Sequence, residues 1–295
     1  HRGLATGLAM AGFGIGSVVW SQVFDLFLAE RLGIRATFVV YGAIFGALIL
    51  ATIRFLRNPP PGYTESVSAR DTSAIEESLS RIAVGKRAAR PQNPANFSRR
   101  EILTQRQLYF LFYTFMVGAA VGLLVIGMSK TYPIERLVIA GHSIRIATNV
   151  TRIGALVLFP VFNGFGRVVF GWLSDRWGWK PIAVGSYIFQ AAILFLFPWL
   201  MSIRLTVTIA LPLLAMCYGG NFTIFPLATG QIWGGQHLAA NYSLVFLAFG
   251  IGALVGPPLG GLAKDAGMVT TAFIVASIML AFGALLVGIL KRPER

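Results

Sequence analysis

Long apolar runs separated by short polar punctuation organise this chain, and eight of them reach the roughly 20 mainly apolar residues that a helix needs to cross a hydrocarbon core. They lie near Gly3–Ala29, Ala36–Ile53, Gln107–Ser129, Gly154–Leu173, Pro181–Ile203, Leu205–Ala228, Tyr242–Ala263 and Gly267–Leu290. None alternates polar and apolar residues as a barrel strand would. Where no water can satisfy the backbone, helices are then the remaining way to span. The first run also lacks a basic leader and a small-residue cleavage site, so it is not read as a signal peptide. The predicted fold class is an all-α integral membrane protein.

The pattern is interrupted once at length, by the polar segment from Arg54 to Arg106, which carries PPPG at Pro59–Gly62, a Ser/Glu run and a basic cluster from Lys86 to Arg100. Such composition makes a linker with at most a short surface helix near Ala74–Val84. The expected division is residues 1–56 as two spans, 57–105 as a cytoplasmic linker and 106–295 as a six-span bundle. Two spans before a long loop and six after it fit a transporter built from two six-helix bundles with four helices absent from the first. The chain also begins with His1 and not Met. The expectation is a fragment beginning at the fifth of twelve spans.

Composition supports a lipid environment. Hydrophobic residues make up 56% and charged residues 12% of the 295, whereas a soluble domain is about a quarter charged. Mean hydropathy is +0.70. The net charge of +14 could suggest nucleic acid, but the basic residues sit beside spans and not on a reading module. On the side holding Arg2, the linker, the Arg176/Lys180 turn and the tail there are roughly twice as many Lys and Arg as on the other, so by the positive-inside rule both ends of this chain are cytoplasmic. An inner, plasma-membrane location and a lipid bilayer as partner follow, with no nucleic acid. The single cysteine, Cys217, excludes an intramolecular disulfide and reads as a packing residue.

Few side chains could carry chemistry. Arg167 lies inside an apolar span, where an ionisable group marks a substrate or ion path by default. Snorkelling to the nearby cytoplasmic face is the alternative. Asn163 is one turn earlier on the same helical face, either a second polar contact or helix-packing glue. The segment FGWLSDRWGWK at Phe170–Lys180 contains Gly171, Asp175, Arg176, Gly178 and Lys180 in a tight turn. It reads either as a conformational latch between two helices or as an ordinary loop with positive-inside charge.

Glycines in the spans read as points of close helix approach. Gly252, Gly256 and Gly260 are spaced by four on one face, and Gly12 and Gly16 lie in AGFGIGS. A dinucleotide loop is excluded for that run because no strand precedes it. Pro257 and Pro258 predict a kink or break in their span. The pairs Tyr218/Phe222 and Phe246/Phe249 each share a helical face, and either line a cavity or pack against neighbours.

Other classes find little support. Only His1, His142 and His237 are available, HExxH, GxSxG and Walker motifs are absent, and the spans hold almost no acids beyond Asp25. No charged ring or carbonyl filter suggests a channel. The expectation is a carrier, neither enzyme nor metalloprotein, with no cofactor.

The stretches Arg2–Ser17 (RGLATGLAMAGFGIGS), LRNPPPGY at Leu56–Tyr63, FNGFGRVVFGWLSDRWGWK at Phe162–Lys180, GGNFTIFP at Gly219–Pro226 and above all NYSLVFLAFGIGALVGPPLGG at Asn241–Gly261 resemble the major facilitator superfamily and, within it, the oxalate/formate antiporter family. The resemblance covers the chain apart from the linker. It implies a monomeric carrier in which two bundles rock about a central site. Arg167 matches the arginine of the family's eighth helix that anchors a substrate carboxylate, a task suited to a planar, permanently charged fork. Tyr218, Phe222, Phe246 and Phe249 become expected cavity walls. Oxalate carriers add a lysine in the eleventh helix, where this chain has Phe249 or a neighbour and no Lys between Arg204 and Lys264. One cation suits one carboxylate, so a monocarboxylate is expected. Antiport follows if an empty site resists reorientation, and proton symport remains the alternative.

Overall fold

A computed structural model of the chain describes residues 7, 8, 16, 29–55, 96–291 and 293. It divides into two compact units, one of residues Phe24–Asn93 and one of His1–Val23 with Pro94–Arg295. The described part of the first is one helix, α1 (Ala29–Thr52), closed by a 3-10 turn at Ile53–Phe55. At Gly33 the backbone turns to φ 72° and ψ 166°, so the helix is two pieces meeting at a residue without a Cβ. This is where the first two spans were expected to part. Arg35–Phe55 is long and apolar enough to cross a membrane.

The second unit is built from α2 (Arg99–Ile102), α3 (Arg106–Met128), α4 (Tyr132–Ile139), α5 (Ile144–Arg152), α6 (Phe159–Trp177), α7 (Trp179–Leu200), α8 (Arg204–Trp233), α9 (Leu238–Asp265) and α10 (Val269–Ile289). Among the described residues seven helical stretches could span a bilayer, one in the smaller unit and six here. The expected span Gly3–Ala29 lies mostly outside the described residues. So do the helix proposed at Ala74–Val84 and the glycine Gly12.

Helix pairs set the bundle's shape: α6 lies along α8, α9 along α3, and α10 along α7. Small residues permit the first two pairings. A Cβ at Gly252 or Gly256 would collide with the carbonyls of Met116 or Ala120, and one at Gly260 would meet Leu124. That four-residue stripe is the seam between α9 and α3. The seam between α6 and α8 uses Gly166, which abuts the Met216 carbonyl, and Gly219, which abuts that of Asn163. Where backbones touch this closely, dispersion and close packing replace the hydrophobic drive that lipid does not supply.

Two local expectations are corrected. The span placed at Gly154–Leu173 belongs to a longer helical stretch, Ile144–Trp177, which passes through a π-helical segment at Ile153–Leu158 between α5 and α6. Widening by one residue per turn rotates α6 relative to α5 without ending the helix. Of the kink or break expected at Pro257/Pro258, the break is absent: α9 runs on through both prolines. They face outward, where no neighbouring helix crowds the rings.

The end of the polar segment is also more ordered than a linker requires. Ser98 and Glu101 close a capping box around α2. The Phe97 amide donates to the Trp233 carbonyl at 3.0 Å and the Phe97 carbonyl accepts from Asn241 Nδ2 at 2.9 Å. Trp233 Nε1 donates to Gln105 Oε1. Residues 96–105 are therefore fastened to the turn between α8 and α9, with Phe97 buried in the bundle.

Candidate functional site

Arg167 is the one charged residue buried among the described residues, 1% exposed. Helical spacing places Asn163 a turn before it, and Asn163 Oδ1 accepts a hydrogen bond from an Arg167 Nη at 3.3 Å. The guanidinium carbon lies 4.5 Å from the centre of the Phe222 ring on α8. That geometry is a cation–π contact, stronger when both partners are out of water. The side chain thus points into the bundle and not to the headgroups, which removes the snorkelling alternative in this conformation.

The backbone around Arg167 is clamped from two sides. Thr223 Oγ1 donates to the Arg167 carbonyl at 3.1 Å. A Cβ at Gly7, in the expected first span, would collide with the same carbonyl. Together with the Gly219–Asn163 and Gly166–Met216 approaches, these contacts set the helix turn that carries the guanidinium.

Aromatic rings continue from Phe222. Tyr218 meets it edge-on at 5.5 Å between ring centres, and Phe249 at 5.3 Å. Phe246 stacks on Phe249 at 5.4 Å and contacts Phe222 at 6.5 Å. All four expected aromatic residues therefore converge beside Arg167, Tyr218 and Phe222 buried and Phe246 exposed on the bundle's face. Two rings join them that the sequence pattern did not single out. Phe115 of α3 contacts Phe222, Phe246 and Phe249 and stacks on Phe225 at 4.4 Å. Tyr242 lies 5.6 Å from Phe246. Tyr242 was within reach of the pattern, because Tyr242, Phe246 and Phe249 have the i, i+4, i+7 spacing of one helix face. Phe115 had no such signal; only the packing of α3 brings it there.

The turn at Phe170–Lys180 joins α6 to α7 through the single residue Gly178, at φ 84°, whose amide donates to the Ser174 carbonyl at 2.9 Å. Gly171 is buried on α6, while Asp175 and Arg176 are exposed, Arg176 lying over the Trp172 ring. Lys180 Nζ donates to the Leu290 carbonyl at 2.8 Å and Gln107 Nε2 to that of Lys291 at 3.0 Å. A cation and an amide thus cap the C-terminal end of α10, where the helix dipole favours positive charge. Gly16 is helical, with no described atom within 4 Å of where its Cβ would lie. Among the described residues no cluster of His, Cys, Asp or Glu could hold a metal ion.

Comparison with known proteins decides the family. The profile of the Major Facilitator Superfamily matches residues 1–233 and again residues 145–295. The chain belongs to the Major Facilitator Superfamily. Its relatives include the oxalate:formate antiporter of Oxalobacter formigenes, 28% identical over 94% of this chain and 59% of that protein. Monocarboxylate transporter 12 of Mus musculus is 26% identical over 100% of this chain and 61% of its own length. An uncharacterised MFS-type transporter of Escherichia coli K12 is 25% identical over 86% of the chain and 56% of the relative. The chain therefore spans about three-fifths of the length of these relatives, which are transporters and not enzymes. Membership of the Major Facilitator Superfamily agrees with an all-α, multi-pass membrane architecture in which α6 and α8 bring Arg167 against an aromatic wall.

Proposed function

We propose that this protein is a secondary transporter that moves a small organic anion across the membrane by alternating access, with the carboxylate anchored on Arg167. The observation that carries this reading is a guanidinium 1% exposed inside a membrane-crossing bundle, held by Asn163 and lying over Phe222. A permanently charged, planar fork at that depth suits bidentate recognition of a carboxylate. Two relatives whose names specify oxalate, formate or monocarboxylates fit the same chemistry. With Phe249 or a neighbour where a second cation would stand, a monocarboxylate suits the site better than oxalate.

Exchange is the coupling we favour. From Asn96 onward the described acids are Glu101, Glu135, Asp175 and Asp265, all exposed, so this bundle supplies no buried carboxyl to carry a proton beside Arg167. Reorienting an empty site would leave a buried charge without its anion, which is costly. In the proposed organisation residues 1–56 contribute to the first bundle, 57–105 form a cytoplasmic connection, 106–295 form the second bundle, and the monomer sits in the plasma membrane with both ends of this chain inside. The Phe170–Lys180 turn serves as the conformational latch.

The test is anion exchange by the protein expressed at full length and reconstituted in liposomes. Arg167→Gln is expected to abolish exchange of short carboxylates while helical content stays unchanged, and Arg167→Lys to recover little, since an ammonium lacks the fork. Near wild-type exchange by Arg167→Gln would refute the anchor.

A further inference from the structure

Beside the anchored guanidinium, the structure leaves one hydroxyl without a use. The Tyr242 hydroxyl is buried and has no hydrogen-bond partner among the described residues. A buried phenol left unbonded loses its hydration without a replacement, and native proteins seldom leave such groups without a partner. Its ring is fixed by Phe246, which in turn meets Phe222, the ring under Arg167. The phenol is also close enough to Arg167 to interact with it electrostatically, as is that of Tyr218. Tyr218 cannot substitute as freely, because its ring is wedged against Gly122 of α3 and edge-on to Phe222.

We propose that Tyr242 is a substrate-binding residue whose hydroxyl donates a hydrogen bond to the anion held by Arg167, supplying from α9 a neutral second donor. The inference rests on the anchor reading above and deepens it. An O–H can serve one carboxylate oxygen while the guanidinium serves the other or both, and a neutral donor adds no second charge. The pair Arg167 and Tyr242 therefore selects a singly charged carboxylate. It also joins α6 to α9 through the substrate, so that an occupied site draws these two helices together and an empty one does not.

Exchange kinetics of the full-length protein in liposomes test it, with formate, acetate, lactate, pyruvate and oxalate as the probes. Tyr242→Phe keeps the ring and removes the hydroxyl. For each monocarboxylate that the wild type carries, the variant is expected to show a KM raised about tenfold or more, the loss expected for a hydrogen bond to a charged group, with the maximal rate within about twofold. Thermal stabilisation of the detergent-solubilised protein by the same probes should weaken in parallel. An unchanged KM with exchange still dependent on Arg167 overturns the proposal and leaves the anchor standing. So does a fall in maximal rate at constant KM, which would place the hydroxyl in helix movement and not on the anion. A wild type that exchanges none of the five probes and is stabilised by none refutes the anchor reading and this proposal together.

Discussion

The guanidinium of Arg167 lies 4.5 Å over the ring of Phe222, and Phe222 in turn is the ring that Tyr218, Phe249, Phe246 and Phe115 surround. The cation is held in a low-dielectric wall by a face that attracts it without neutralising it. A desolvated cation–π contact of this kind contributes on the order of 2 kcal/mol.

Phe222→Leu should therefore loosen the guanidinium more than it loosens the fold. The expected outcome in the full-length protein is a KM for the proposed carboxylate raised severalfold to tenfold, with Phe222→Tyr, which keeps the aromatic face, within about threefold of wild type. Exchange kinetics in liposomes read the difference. Equal KM values for wild type and Phe222→Leu would make the ring a packing residue only.

The glycines of the α6–α8 seam set the position of Arg167 as well as the stability of the pair. A Cβ at Gly219 would strike the Asn163 carbonyl, and backbone cannot swing aside as a side chain can. Gly219→Ala is expected to cost about 1–3 kcal/mol of stability and most of the transport, since the turn carrying Asn163 and Arg167 would move. Gly185 on α7 is the control, because nothing lies within 4 Å of its would-be Cβ. Gly185→Ala should transport normally and melt no lower than wild type, alanine being the better helix former by about 1 kcal/mol. Similar melting temperatures and similar rates for the two variants would remove the close-approach argument.

Orientation follows from charge and can be read with cysteine labelling. Ser143 caps α5 and is exposed; Gln236 is exposed in the turn between α8 and α9. In the proposed orientation, which rests on the excess of Lys and Arg on the side of Gln236, that turn is expected in the cytoplasm and Ser143 outside. The native Cys217 is buried, so background reaction is low. An impermeant maleimide should label Ser143→Cys in intact cells and Gln236→Cys only after permeabilisation. The reverse pattern would invert the topology.

Much of this architecture was legible in the apolar runs, because a span needs length and composition more than it needs any single residue. The six spans after Arg106, the Gly252–Gly256–Gly260 seam and the Asn163–Arg167 pair could all be read from run length and spacing along single helices. What periodicity cannot express is convergence between helices. Phe115 joins the aromatic wall because α3 packs on α9, and Gly166 and Gly219 matter because α6 and α8 touch there; neither relation has a spacing within one segment. The π-helical segment at Ile153–Leu158 was not foreseen, and of the kink or break expected at Pro257 and Pro258 the break is absent, for a related reason. Both depend on how neighbouring helices and lipid accommodate a local backbone irregularity. The ordering of residues 96–105 was hidden by polar composition, although SRRE at Ser98–Glu101 holds the Ser and Glu of a capping box.

Phe249 tests the link between charge count and substrate charge. Its ring is 5.3 Å from that of Phe222, which contacts Arg167 directly, so a lysine at this position would bring a second ammonium into the same aromatic cluster. Two cations without two carboxylates repel each other in a poorly solvated site, whereas a dianion between them satisfies both. Phe249→Lys is accordingly expected to lose affinity for monocarboxylates and to shift its preference toward oxalate by about tenfold or more, roughly the 1.4 kcal/mol of one additional charged hydrogen bond. Phe249→Met serves as the control for loss of the ring, and should weaken binding without changing the ranking of mono- over dicarboxylates. Stability gives an independent readout: oxalate should raise the melting temperature of Phe249→Lys and leave that of wild type nearly unmoved. If Phe249→Lys folds, exchanges a monocarboxylate at the wild-type KM and gains nothing for oxalate, then Phe249 does not face the site that Arg167 anchors, and the lack of a second cation does not explain the choice of substrate.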